Sequence, residues 1–101
     1  MKINYWHKLT QEEAYKRIDN LLIDLQKEYD GKIINPRTIW NPEHTRMEYT
    51  MKILGFSAKG EITLKKNQIS LREEFPFVAG ILGGKIKEMV TKQKQLDDLL
   101  S

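Results

Sequence analysis

The fold is decided by residues 47–71, which read MEYTMKILGFSAKGEITLKKNQISL. Apolar residues occupy every second position from Met47 to Ile53, and the same alternation resumes after Gly55 and after Asn67. A period of two is typical of strands that bury one face and expose the other. Gly55 and the dipeptide Lys66-Asn67 provide the turns. The stretch therefore predicts an antiparallel meander with one apolar and one polar face.

An amphipathic helix is predicted before the meander. Thr10 and Glu13 have the spacing of a capping box, and Gly31 offers a left-handed stop. Between them the apolar residues recur every three or four positions, at Ala14, Ile18, Leu21, Leu22, Leu25 and Tyr29. The pattern predicts one helix from Gln11 to Tyr29.

The chain opens with a short strand candidate. Ile3 and Tyr5 would face one side of it, and Asn4 and Trp6 the other. After the helix, residues 32–45 are less regular, with strand candidates at Ile33-Ile34 and Thr38-Ile39-Trp40. Because Pro36 and Pro42 each remove a backbone donor, this segment suits a sheet edge or a loop. We expect Trp40 to cover the core from there.

The last segment, from about Phe77 to Leu100, has apolar residues at helical spacing and predicts a long second helix. Pro76 ends the preceding strand and can begin a helix. Gly80, Gly83 and Gly84 lie in its first two turns, and each costs about 1 kcal/mol relative to alanine. Three glycines so close together indicate a kink, a late helix start or a close backbone approach to a neighbour.

The predicted architecture is an α+β fold with the order β-α-β-β-β-β-α. An antiparallel sheet of four or five strands would carry the N-terminal helix and the long C-terminal helix on one face. The 101 residues and 11.9 kDa fit a single domain, residues 1–101. No apolar run approaches the roughly 20 residues of a membrane span. The N-terminus shows no apolar signal region, so a cytoplasmic location is expected.

The residue inventory argues against an enzyme. Zero cysteines exclude a disulfide scaffold, a thiolate zinc site and cysteine catalysis. His7 and His44 have no metal-ligand spacing around them, so neither a metal nor a cofactor is expected. The carboxylate pairs are Glu12-Glu13, Glu73-Glu74 and Asp97-Asp98, and the strand pair would diverge rather than converge. The glycines of residues 80–84 match no phosphate-binding motif.

The net charge is +3, and residues 46–96 hold ten Lys/Arg against five Asp/Glu. A basic half can favour anionic surfaces, although a solvated lysine-rich face is the explanation preferred here. The aromatic residues of the strands are expected to alternate onto the core face, away from the lysines. Nucleic acid is therefore expected to be an unlikely partner.

The chain resembles a known family in several segments. These are His7–Ala14 (HKLTQEEA), Arg17-Ile18, Leu21-Leu22, Gly55–Ser57, Gly60–Leu64 and Leu96–Leu100. In them the sequence is similar to the small bacterial polyhydroxyalkanoic acid system proteins, encoded near genes for polyester storage granules. The resemblance implies a biological process, polyester storage, but no particular chemical reaction. The order of elements is also similar to a shortened helix-grip (START-like) domain, a fold that often holds an apolar ligand between sheet and long helix.

From the resemblance we expect a non-enzymatic accessory protein that binds an apolar ligand or a granule surface. The residues expected to line such a site are Trp6, Trp40, Tyr49, Met51, Ile86 and Met89. The alternative is a protein-interaction module, as a homo-oligomer or with another partner, that uses an open sheet edge or the long helix.

Overall fold

The computed structural model describes the backbone of residues 1–100 and the side chains of residues 1–90. The strands are β1 (Lys2–Trp6), β2 (Ile33–Trp40), β3 (Arg46–Ile53), β4 (Phe56–Lys65) and β5 (Gln68–Glu73). The helices are α1 (Gln11–Asp19), α2 (Leu21–Glu28) and α3 (Pro76–Leu100). The predicted α+β class and the predicted order of elements are confirmed. The side chains of Leu96–Leu100, which the sequence assigns partly to the apolar stripe of α3, lie outside the described residues.

The five strands form one antiparallel sheet in the order β1-β5-β4-β3-β2. Strands β3, β4 and β5 follow one another as the predicted meander, and β1 and β2 are its edges. The hairpin between β3 and β4 pairs Ile53 with Phe56 through the two-residue turn Leu54-Gly55. The hairpin between β4 and β5 pairs Lys65 with Gln68, and Asn67 adopts φ 61° in its turn. Asparagine tolerates this left-handed conformation better than most residues do.

The apolar face of the sheet packs against the helices and forms the core. Its central strand residues are Met47, Tyr49, Met51, Ile53, Ala58, Ile62, Leu64, Ile69 and Leu71, all buried. Helices α1 and α2 contribute the predicted stripe, and α3 contributes Val78, Ala79, Leu82 and Ile86. The helices therefore cover one face of the sheet, as the alternation in the strands predicts.

The first helix is interrupted, which differs from the single helix predicted over Gln11–Tyr29. Asn20 separates α1 from α2, with φ −93° and ψ 0°. Its side-chain amide donates to the Lys16 carbonyl oxygen at 2.9 Å, and its backbone N–H bonds to Arg17 O. Short polar side chains compete in this way with the helical hydrogen bonds. The apolar stripe continues across the break, because Ile18 and Leu21 are both buried.

The segment that contains both strand candidates of residues 32–45 forms one edge strand, β2. A register shift between Ile34 and Arg37 marks a bulge, where Asn35 adopts φ 50° and Pro36 has no N–H to donate. Bulges and prolines are common on edge strands because they hinder pairing with another chain. Helix α3 runs through its glycines without interruption. Of the three explanations considered for them, close approach applies to Gly83, which lies against the Tyr5 hydroxyl.

Candidate functional site

The six residues expected to line a ligand site do not converge on one cavity. Tyr49, Met51 and Ile86 are buried in the core, and Met89 packs at its margin. Trp6 lies on the opposite face of the sheet, because it shares the orientation of Asn4 rather than that of Tyr5, and it is 75% exposed. The sheet therefore separates Trp6 from the other members of the predicted set.

Trp40 has a structural environment at the end of β2. Its Nε1 donates to Asp19 Oδ1 at 2.9 Å, and its ring meets the edge of Tyr15 at a centroid distance of 4.8 Å. Tyr15 in turn stacks on His44, with centroids 4.1 Å apart. Gln11 donates to the His44 carbonyl oxygen at 2.8 Å. These contacts hold α1 against the loop between β2 and β3. Trp40 covers the core from an edge strand, as expected.

His7 lies just before α1 and is buried. Its Nδ1 accepts a hydrogen bond from the Leu9 N–H at 3.0 Å, which orders the entry to the helix. Burial lowers the pKa of the His7 imidazole, and the nearby Gln68 backbone offsets this only in part. Its Nε2 makes no hydrogen bond to any described residue. The neutral imidazole therefore suits this position better than the imidazolium ion.

A buried polar pair lies where the sequence shows an alternating strand. The Tyr49 hydroxyl donates to Glu73 Oε1, and Glu73 Oε2 accepts the Phe75 N–H at 3.0 Å. Glu73 is only 1% exposed. Burial, and then the hydrogen bond to Glu73, raise the pKa of the Tyr49 phenol. Sequence analysis missed this pair; the available signal was Gly60, whose missing side chain makes room for the Tyr49 ring.

Three phenylalanines form a group, called here the phenylalanine cluster, at the junction of β4, β5 and α3, in which Phe56 and Phe77 are exposed and Phe75 is partly buried. The rings of Phe56 and Phe77 meet at 5.1 Å, and the Phe75 ring lies 5.9 Å from that of Phe56. Phe56 is 49% exposed and Phe77 39%. Leu54, in the turn that precedes Phe56, is 48% exposed and adopts φ 51°. The cluster and Leu54 present apolar surface at one end of the sheet.

A groove of about 380 Å³ between α2 and α3 adjoins this cluster and shares Phe77 with it. Its apolar lining also includes Leu25, Tyr29 and Ile81, and Gly80 and Gly84 contribute bare backbone. A Cβ atom added at either glycine would meet open space. Lys85 also lines the groove, and its hydrogen bond to Glu28 is the main cause that raises the pKa of its ammonium group.

The polar face of the sheet, called here the outer sheet face, is open to solvent over most of its area. Its charged residues are Lys2, Arg37, Arg46, Glu48, Lys52, Lys59, Glu61, Lys65 and Arg72. Seven cationic against two anionic side chains give this face a net charge of +5. Because the whole chain carries +3, all other residues together carry −2. A cleft of about 540 Å³ on this face is lined by the cations Lys2, Lys59 and Arg72 and by four glutamates, Glu48, Glu61, Glu73 and Glu74.

Other kinds of site find no support in the described part of the chain. Among residues 1–90 no group of three His, Cys, Asp or Glu side chains could hold a metal ion. No helix within the described residues is long and apolar enough to cross a membrane. What the structure presents is one apolar surface and one basic surface on different parts of the molecule.

The comparison with protein families gives one match. The family model described as "Putative polyhydroxyalkanoic acid system protein" matches residues 1–100. No curated protein and no solved structure shows significant similarity to the chain. The match covers both surfaces described above.

Proposed function

We propose, because this chain belongs to the polyhydroxyalkanoic acid system protein family, that it is a non-enzymatic accessory protein of polyester storage granules. In this proposal the protein acts in the cytoplasm and attaches to the granule surface. Attachment uses the phenylalanine cluster together with Leu54. The family supports the process, and the exposed apolar surface supports this mode of attachment.

The conformation of Leu54 is the observation that carries the proposal. In a two-residue hairpin turn in which both residues have positive φ, asparagine or glycine is preferred at the first position. Here Leu54 has φ 51° and Gly55 φ 86°. A bulky residue in the left-handed region costs about 1–2 kcal/mol, and half of this leucine side chain gains no burial in return. A residue that costs stability while adding to an exposed apolar surface supports contact with a partner.

The chemistry of the cluster suits a polyester surface. A polyhydroxyalkanoate presents alkyl groups and ester carbonyls, so its surface is largely apolar and has no hydrogen-bond donors. Covering about 100 Å² of exposed Phe56 would contribute roughly 2–3 kcal/mol by area. Phe77 and Leu54 would add similar amounts, from which the loss of free motion on attachment is subtracted. The sum supports reversible attachment without any charged contact.

The packing of the core supports surface attachment over an enclosed ligand. Tyr49, Met51 and Ile86 fill their positions between the sheet and the helices and are almost fully buried. A ligand bound among them would have to displace close-packed side chains, which costs several kcal/mol for a single large residue. We therefore assign the apolar contact to the exposed cluster.

The proposal is tested by co-sedimentation of the protein with purified polyhydroxyalkanoate granules and with protein-free lipid vesicles. We expect binding to granules that persists at about 0.5 M salt, because screening weakens ionic contacts and leaves apolar ones intact. The double variant Phe56→Ser/Phe77→Ser should lose that binding. Binding that disappears with salt, or that is unchanged in the double variant, contradicts the proposal.

A protein-interaction module is the second candidate function, favoured by the groove between α2 and α3. Bare backbone at Gly80 and Gly84 permits a partner helix to approach closely. Alanine fits at Gly84 and favours the helix by about 1 kcal/mol. Gly84→Ala should therefore raise the stability of the monomer while weakening association. Sedimentation equilibrium at high micromolar concentration measures the association of the wild type and of Gly84→Ala. A strictly monomeric wild-type protein would exclude the homo-oligomer.

A further inference from the structure

We propose that the outer sheet face binds single-stranded nucleic acid, with phosphates on its cationic side chains and a base stacked on Trp6. The first support is the segregation of charge. The face carries +5 and the rest of the chain −2. A surface of one sign attracts a polyanion to that side of the molecule and repels it from the other.

The cationic side chains of this face have no ionic partners within residues 1–90. The ion pairs of the described residues all involve helices, between Lys16 and Glu12 and between Lys85 and Glu28 or Glu88. On the outer sheet face Lys2 stands directly opposite Arg72 in the pairing of β1 with β5. Like charges directly opposite each other destabilise a sheet. On its other side Arg72 stands directly opposite Glu61, a pairing of opposite charges that favours folding. A phosphate between Lys2 and Arg72 would remove the repulsion that remains.

Two glutamates interrupt the cations of this face, and one of them, Glu61, stands directly opposite Arg72. Glu48 and Glu61 are paired with each other across β3 and β4 at the centre of the face. Arg37, Thr50 and Lys59 form the neighbouring row over three adjacent strands, so the backbones of Arg37 and Lys59 lie about 10 Å apart. The acids repel a phosphate placed at the centre, which leaves the cationic margin as the path for a flexible polyanion.

Trp6 favours a single strand over a duplex. It is the aromatic side chain of this face, is 75% exposed, and lies in one cross-strand row with Gln68 of β5 and Lys65 of β4. An open aromatic ring on a flat basic sheet can stack an unpaired base. A duplex hides its bases from such a ring. The expectation that all strand aromatics lie away from the lysines holds for Tyr49 but fails for Trp6, because β1 presents Trp6 to the basic side.

This face also lies apart from the surface proposed for granule attachment. Phe56 has the orientation of buried Ala58 and contacts Phe77 of α3, whereas Lys59 points to the opposite side of the sheet. Variants of the phenylalanine cluster should therefore leave nucleic-acid binding unchanged. Failure of one proposal does not imply failure of the other.

The test is fluorescence anisotropy with labelled single-stranded DNA and RNA probes of about 12 nucleotides. A duplex of equal length and phosphatidylglycerol vesicles are the competing ligands. We expect binding of either single strand at about 20 mM salt, with a logarithmic salt dependence of slope about −2 to −4, as for three to five phosphate contacts. The duplex should bind less tightly. Absence of binding to both single strands at this salt concentration overturns the proposal, as does tighter binding of the vesicles or the duplex.

Matched variants locate the contact. Lys59→Glu on the outer sheet face and Lys27→Glu on α2 change the net charge equally. We expect Lys59→Glu to weaken binding about tenfold or more and Lys27→Glu to weaken it little.

Trp6→Ala should weaken binding about tenfold and Trp6→Phe much less, because phenylalanine still stacks. Glu48→Gln/Glu61→Gln should tighten binding. Equal losses in the two lysine variants, or no loss in Trp6→Ala, contradict the assignment; circular dichroism confirms that each variant is folded.

Discussion

At single residues, three glycines of this protein differ sharply in what surrounds them. A Cβ atom at Gly60 would press against the Arg72 carbonyl oxygen and the Tyr49 ring. At Gly83 it would meet the end of the Tyr5 side chain, which is only partly buried and can move. At Gly84 it would meet open space. The sequence shows the same residue three times, and only the packing distinguishes the positions.

Alanine substitutions should therefore have graded effects on stability. We expect Gly60→Ala to lower the free energy of unfolding by more than about 2 kcal/mol, because backbone cannot yield and the Tyr49–Glu73 bond is disturbed. Gly83→Ala should cost less, since Tyr5 can shift. Gly84→Ala should add up to about 1 kcal/mol through helix propensity. Urea unfolding measures the three values, and any other ranking would show that the packing at these glycines is described incorrectly.

His7 gives stability a dependence on pH. Because burial lowers the pKa of the folded-state imidazole below its ordinary value, the unfolded chain binds the proton more readily. The stabilisation is complete above about pH 7.5 and is lost as the pH falls through the unfolded-state pKa of about 6.5. The loss can reach about 1.4 kcal/mol per pH unit until the folded-state pKa is passed.

The variant His7→Asn tests this dependence, because its side-chain oxygen can still accept the Leu9 N–H while the titrating group is gone. Between pH 7.5 and 5.5 the unfolding free energy of the wild type should fall more steeply than that of the variant. Thermal melts of both proteins across this range supply the comparison. Parallel profiles would mean that the imidazole does not titrate differently on folding.

At the scale of elements, the capping box before α1 is the sequence motif that most directly predicts where a helix begins. Glu13 N–H donates to Thr10 Oγ1 at 3.1 Å, and Glu13 Oε1 accepts from the Thr10 N–H at 3.4 Å. We expect Thr10→Ala to destabilise the protein by about 1 kcal/mol and Thr10→Ser to be nearly neutral. Chemical denaturation of the three proteins provides the measurement. Equal stability of the alanine and serine variants would exclude a contribution from the cap.

The elements could be predicted wherever periodicity and end signals agree. The alternation of β3, β4 and β5 and the stripe of the first helix depend on local pattern, so they were predicted from the sequence. The interruption at Asn20 was not, because the apolar stripe passes through it unchanged. The sequence also predicted two short strands where the structure has the continuous strand β2. Pro36 indicates a break in the sequence pattern, but a bulge accommodates it in the strand.

At the scale of the whole molecule, the candidate surfaces depend on three-dimensional placement. The spacing of Phe56 indicates a buried strand position, but its place at the end of β4 leaves half of the ring exposed beside Phe75 and Phe77. The buried Tyr49–Glu73 pair joins β3 to the end of β5, a separation of 24 residues that no local pattern reports. Charge segregation likewise appears only when the register of all five strands is known.

The most direct test of granule attachment compares Leu54→Asn with Ile23→Asn in co-sedimentation with polyhydroxyalkanoate granules at about 0.5 M salt. Leu54 and Ile23 are aliphatic residues exposed to a similar degree, and Ile23 lies on α2, outside the phenylalanine cluster. Asparagine suits the left-handed turn, so Leu54→Asn should raise the free energy of unfolding by roughly 0.5–1 kcal/mol. We predict that this more stable variant binds granules several-fold more weakly, while Ile23→Asn binds like the wild type. Undiminished granule binding by Leu54→Asn, or an equal loss in Ile23→Asn, would contradict attachment through this surface.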